Sequence, residues 1–284
     1  MPMFRVILDA EGMMDVPEAV VARAEPDAAV GDDAVDEAFA LLADVYGFWR
    51  LCHFRDSLDD RGARLVAVVH VGVGYENATW EGDHALIGDG GLMCHRLTSI
   101  PSLVYGLCAK GVLGYLPLRD DTADAAALRT GCANVFACLT EQFTRRQPAA
   151  SASWLVGEDI FRPEAGGGSL YSLAIPGQAS SLDRQIARID DVPDKPDPAI
   201  VAGVPGHAFY RFAMALEGYA WETAGRVWYA ALTDERAGKA WRSLSGFADL
   251  TVAVAGELYG REVAAMAVDG WRAVGVKGSW PADG

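Results

Sequence analysis

The chain has 284 residues, 51% apolar and 10% aromatic, which fits one large domain or two packed ones and not a disordered chain. Its formal charge is −15, from 39 acidic and 24 basic residues, a surface that repels nucleic acid and anionic membranes, so neither is an expected partner. Apolar runs such as Leu65–Val71 fall far short of the roughly 20 residues that span a bilayer.

The N-terminus, MPMFRVILDAEG, lacks the basic start, apolar core and small-residue cleavage site of a secretory signal. Cys52, Cys94, Cys108, Cys132 and Cys138 are odd in number and contain no Cys-x-x-Cys pair. A reduced, cytoplasmic protein with free thiols is the expectation.

In chain order, residues 33–53 carry Val35, Phe39, Leu42, Val45, Tyr46, Phe48 and Trp49 at helical spacing, with Asp32 or Asp33 as the cap. RLVAVVHVG at 64–72 is β-branched and strand-like, and places His70 on a strand, with its ring satisfied inside the protein. GYENATWEGDHALIGDGG reads as a hairpin ending in a Gly-Asp-Gly loop. Pro101 to Tyr115 is apolar and helical, although Gly106, Gly111 and Gly114 each weaken that helix by up to about 1 kcal/mol. A second helix covers 123–144, a Gly-rich stretch holds GGG at 166–168, and Asp190–Pro198 reads as a loop. GHAFYRFAMALEG, AGRVWYAALT and a final pair ending at Trp271 are helical. The pattern divides the chain into an α+β part, 1–116, a mostly α-helical part, 117–278, and a flexible tail, 279–284.

Several blocks, in order along nearly the whole chain, resemble the thermolysin/protealysin metallopeptidases: RVILDAEG, HVGVGYENATWEGDHALIGDGG, SWLVGEDI, GVPGHAFY, AGRVWYAALT and WRAVGV. The resemblance implies a thermolysin-like α+β fold, with an N-terminal domain carrying a β-hairpin and sheet, a C-terminal helical domain and a cleft between them. In that family a helical His-Glu-x-x-His motif and a glutamate on the next helix hold zinc, and the motif glutamate activates its water. His95–Ser99, HRLTS, looks like a decayed motif, but the gapless fit of CHRLTSIPSLVYGLCAKGVLGY puts His95 in the loop ahead of the helix.

On that fit the two histidine positions are Gly106 and Lys110, the catalytic glutamate position is Leu107, and the third-ligand position is Thr130, with Asn134 as its neighbour. The transition-state histidine falls on Ala199, the substrate-binding arginine on Tyr171 and the tyrosine over the zinc on Asp121. Asn77 and Ala78 match the family's substrate-backbone contacts, and Asp194 matches the aspartate that orients the missing histidine. Among calcium positions Glu141 and Glu158 remain, whereas others fall on Ser102, Ser153 and Leu155. Independently of the resemblance, the five histidines (His53, His70, His84, His95, His207) include no two within ten residues of each other. No metal and no cofactor is therefore expected.

Lys110, Asp120, Asp121 and Asn134 read either as an acid–base cluster or as a salt bridge filling the old zinc position. Cys108 reads as a nucleophile or, at the third motif position facing the core, as an inert buried thiol; Cys132 and Cys138 read as core thiols, and His207 as structural. GGGS at 166–169 lacks the lysine of a phosphate loop. The functional expectation is a pseudopeptidase that binds a peptide or protein through the Asn77 edge, and the lack of a prosegment ahead of RVILDAEG fits it. The alternative is a metal-free enzyme acting on a small molecule, for example a cyclase, with Lys110, Asp121 or Tyr171 in its cleft. A peptidase with a different metal constellation is a third reading.

Overall fold

The computed structural model describes residues 3–14, 16, 19–194 and 197–280. Contacts divide it into two compact units, Met1–Tyr115 with Val156–Leu170, and Leu116–Leu155 with Tyr171–Gly284.

In the first unit, β-branched and leucine-rich stretches form β1 (Arg5–Asp9), β2 (Val20–Ala24) and β3 (Leu65–Val69). The expected hairpin is β4 (Ala78–Glu81) and β5 (His84–Ile87), turned at Gly82 with φ 55°. The sheet order is β2-β1-β3-β5-β4, with β3 parallel to both β1 and β5 and β4 antiparallel at the edge. Four of the five β3 residues are buried, as a central strand covered on both faces requires.

Helix α1 (Asp33–His53) starts where its cap dictates: the Asp32 carboxylate accepts from the Ala34 and Val35 amides at 2.9 and 3.1 Å. It packs on β1 and β3 and on α2 (Pro101–Tyr115), which also covers β4 and β5. Arg5 and Arg23 lie 3.7 and 3.9 Å from the Phe39 ring centroid, joining the start of the sheet to α1 through cation–π contacts.

The segment 156–170, read from sequence as part of the helical domain, belongs to this first unit. Phe161 bridges Cys94, the Arg162 Nε donates to the Gly91 and Cys94 carbonyls, and the Gly157 amide donates to the Ser102 Oγ at 3.0 Å. Those pairings are long-range, so no local pattern announces them.

The second unit is helical. Its axis is α3 (Ala123–Arg145), capped by Thr122 and buried along most of its length. On it pack α4 (Pro198–Val201), α5 (Gly203–Leu216) and α8 (Leu244–Tyr259), and α6 (Thr223–Thr233), α7 (Ala237–Ala240) and α9 (Arg261–Ala273) pack in turn on α5 or α8. Pro198–Leu216 is apolar enough on average to cross a bilayer, but 56% of that window is buried in the folded chain, as in a core helix. Trp228 and Trp271 stack at 5.7 Å, with Phe209, Phe212 and Phe247 against the Trp228 indole.

Two further points differ from the sequence reading. The expected loop Asp190–Pro198 holds a short 3-10 turn at Ile189–Asp191 and ends as Pro198 opens α4, where the missing proline N–H costs nothing. Of the expected flexible tail, Ser279 is held by two 2.7 Å bonds to Asp249, whereas residues 281–284 lie outside the described residues.

Candidate functional site

Helix α2 carries most of the positions singled out from sequence. Gly106 and Leu107 are buried, Leu107 at 3% exposure. Lys110 is half-buried, with no hydrogen-bond or ion-pair partner for its amine among the described residues of its unit. Burial without a compensating carboxylate holds that amine below the usual lysine range. Ahead of α2, His95 lies in a loop followed by a 3-10 turn at Leu97–Ser99. There Arg96 forks onto Glu37 at 2.6 and 3.0 Å and the Thr98 Oγ1 donates to the same carboxylate at 2.7 Å, so HRLTS ties this turn to α1.

Asn77 and Ala78 sit at the start of the edge strand β4. Asn77 is exposed, its Oδ1 accepts from the Ala78 amide at 2.8 Å, and its carbonyl accepts from Gly88.

In the helical unit, Thr130 is half-buried on α3 and Asn134 follows one turn later, 6% exposed, with a buried Nδ2 that has no hydrogen-bond partner among the described residues. Asp120 is engaged by Arg129 and by the Trp241 Nε1, and Asp121 pairs with the Arg242 Nη1 at 3.3 Å. Ala199 is exposed in the first turn of α4, its amide donating to Asp197 at 2.9 Å. Tyr171 is half-buried, and burial, with the charges of Asp183 and Asp197, pushes its phenol above the usual range. Asp194 is exposed. The His207 Nδ1 donates to the Leu173 carbonyl at 2.8 Å and its ring stacks on Tyr210, a packed, structural setting.

Each of the two helices, α2 and α3, offers few metal-donor side chains. Helix α2 contains no histidine, aspartate or glutamate. Of its polar groups, Ser102 is taken by Gly157, and the Tyr105 hydroxyl donates to Asp44 at 2.8 Å. The Cys108 thiol is fully buried and its pKa is pushed up to about 12, so no thiolate forms at neutral pH. On α3 the only carboxylates are Asp124, which accepts from the Leu244 amide, and Glu141, which pairs with Arg145 at 2.8 Å. Among the described residues no three histidine, cysteine, aspartate or glutamate side chains group as metal donors.

His70 is satisfied inside the protein as expected, but its partners and its backbone escaped the sequence reading. His70 is not on a strand: β3 ends at Val69, and His70 takes a left-handed φ of 54°. Its Nδ1 lies 2.8 Å from Asp89 and its Nε2 3.3 Å from Asp32, on the wall of a cavity of about 550 Å³ shared with Asp33, Arg96 and Arg162. The Gly-Asp-Gly loop was the available signal, but nothing local pairs residue 89 with residue 70.

Comparison with known proteins decides the family. Residues 21–100 match the thermolysin metallopeptidase catalytic domain and residues 122–276 its alpha-helical domain. The chain belongs to the thermolysin metallopeptidase family. It is 35% identical to Protease PrtS of Photorhabdus sp. (strain Az29), over 96% of this chain and 76% of that protein. It is 32% identical to an extracellular metalloprotease of Pectobacterium carotovorum subsp. carotovorum, over 96% of this chain and 81% of that protein. The solved precursor of protealysin, a metalloproteinase from Serratia proteamaculans, superposes with a TM-score of 0.91 at 34% identity, covering 97% of this chain and 88% of that one. The thermolysin-like fold, sheet-bearing N-terminal part and helical C-terminal part follow from these matches. Neither family match includes residues 101–121, the stretch that holds α2.

Proposed function

We propose that this member of the thermolysin family works without zinc and binds a peptide or protein partner that it does not cut. The observation that carries the reading is the donor chemistry of α2, where Gly106, Leu107 and Lys110 offer no imidazole or carboxylate. A buried leucine cannot activate a water, and a protonated lysine amine has no lone pair to give a metal. The 284-residue sequence contains no His-Glu-x-x-His at any position. Ala78, which opens the edge strand β4, and Asn77 just ahead of it suit an extended peptide that adds itself to the sheet. Five buried cysteines, none of them in a disulfide among the described residues, fit the reducing conditions of the cytoplasm.

The test is metal analysis of the purified protein with casein digestion in the presence and absence of a chelator. The expected result is no stoichiometric zinc and no cleavage, together with saturable binding of unstructured peptides that is lost in a variant with a proline at Ala78. Stoichiometric zinc with chelator-sensitive cleavage would overturn the reading.

A second reading, a metal-free enzyme acting on a small molecule, is favoured by Lys110, since burial lowers its pKa and a half-buried amine that gives up its proton more readily than a free lysine suits proton transfer. Under that reading turnover, not peptide binding, is what Lys110→Met abolishes.

A further inference from the structure

Both nitrogens of His70 face carboxylates. Nδ1 lies 2.8 and 3.0 Å from the two Asp89 oxygens, and Nε2 lies 3.3 Å from the Asp32 Oδ2. A neutral imidazole has one N–H and one bare lone pair, so only the imidazolium donates to both. Asp32 is shared: its Oδ1 caps α1 through Ala34 and Val35 while its Oδ2 meets His70. The His70 carbonyl accepts from the Gly12 amide at 2.8 Å, and Asp89 lies in the Gly88–Gly90 loop that follows β5.

We propose that His70 is a pH-sensitive latch of the N-terminal unit: as an imidazolium it ties the end of β3 to the Gly88–Gly90 loop and to the start of α1, and on losing its proton it loosens the first turn of α1.

The charged groups around the ring set the direction. Burial works against the charge, but the Asp89 bond and the charges of Asp89, Asp32 and Asp9 outweigh it and hold the pKa above the ordinary 6.5. Arg96, on the same cavity, is neutralised by Glu37 and Asp33, and the Arg162 Nε is spent on the Gly91 and Cys94 carbonyls. When the proton leaves, the remaining N–H stays with Asp89, which is closer and offers two oxygens. The Nε2 lone pair then meets the Asp32 carboxylate, and that contact turns repulsive. Since the folded pKa is raised, the stabilisation is complete below 6.5 and is lost as pH rises through the folded value.

The experiment is an NMR titration of the full chain, following the His70 ring and the exchange protection of the Ala34 and Val35 amides, corrected for base catalysis. A midpoint above 6.5 is expected, with protection at both amides falling across the same range. Asp32→Ser keeps a capping oxygen but removes the charge; it should lower the His70 midpoint and uncouple the two amides from it. A wild-type midpoint at or below 6.5, or amide protection that is flat across the midpoint, overturns the latch whether or not the variant folds.

Discussion

The Trp80 indole occupies the space that a side chain at residue 111 would need: a Cβ built on Gly111 would lie 2.5 Å from the Trp80 Cζ2. The indole is fixed by its Nε1, which donates to the Gly82 carbonyl at 3.1 Å, so it cannot swing aside freely. Gly111→Ala should therefore destabilise the protein by about 1–3 kcal/mol, against the helix propensity of alanine. Gly114→Ala, one turn on and facing open space, should stabilise it by about 1 kcal/mol. Urea unfolding of the two variants checks the opposite signs.

Lys110 opposes folding while it carries its charge. Its folded pKa lies below the ordinary 10.5, so between the two values the unfolded chain binds more protons and stability rises with pH. Lys110→Met should raise the melting temperature at neutral pH and flatten that rise at alkaline pH. Differential scanning calorimetry at several pH values is the measurement, and equal pH profiles for both proteins would contradict the account.

Asp234 behaves in the opposite sense. The Arg236 fork, with a 2.7 Å Nη2–Oδ2 contact, holds the Asp234 carboxyl down to about 2. A depressed folded pKa gives stability that is present above the ordinary 3.8 and lost as pH falls through about 2. Arg236→Ala should remove that part of the acid dependence, read by circular dichroism during an acid titration.

Trp271 packs flat on Trp228, with 8° between the ring planes, and its Nε1 donates to the Thr251 Oγ1 at 2.8 Å. Trp271→Ala should cost about 3–5 kcal/mol through the cavity it leaves. Trp271→Phe should cost less, about 1 kcal/mol for the lost hydrogen bond together with a smaller packing loss. Guanidinium unfolding separates the two.

Elements whose limits are set by neighbours in sequence were legible. The spacing from Val35 to Trp49 and the Asp32 cap give α1 as Asp33–His53, and Gly82 gives the turn of the β4–β5 hairpin. That α2 carries no histidine or carboxylate was equally legible, because it is a matter of residue type. Other readings depended on distant partners. His70 looked like a strand residue because RLVAVVHVG is β-branched throughout, yet its backbone turns left-handed where Asp89 and Asp32 meet its ring.

By itself, then, the sequence determined the family, the helices and hairpin with local caps and turns, and the absence of histidine and carboxylate from α2, since each of these rests on side-chain chemistry and short-range spacing. Only the tertiary structure decided that 156–170 joins the N-terminal unit, that Gly111 makes room for Trp80, and that one histidine stands between two carboxylates. Those facts depend on groups brought together across tens of residues, where burial and charge act through space and leave no periodicity in the chain.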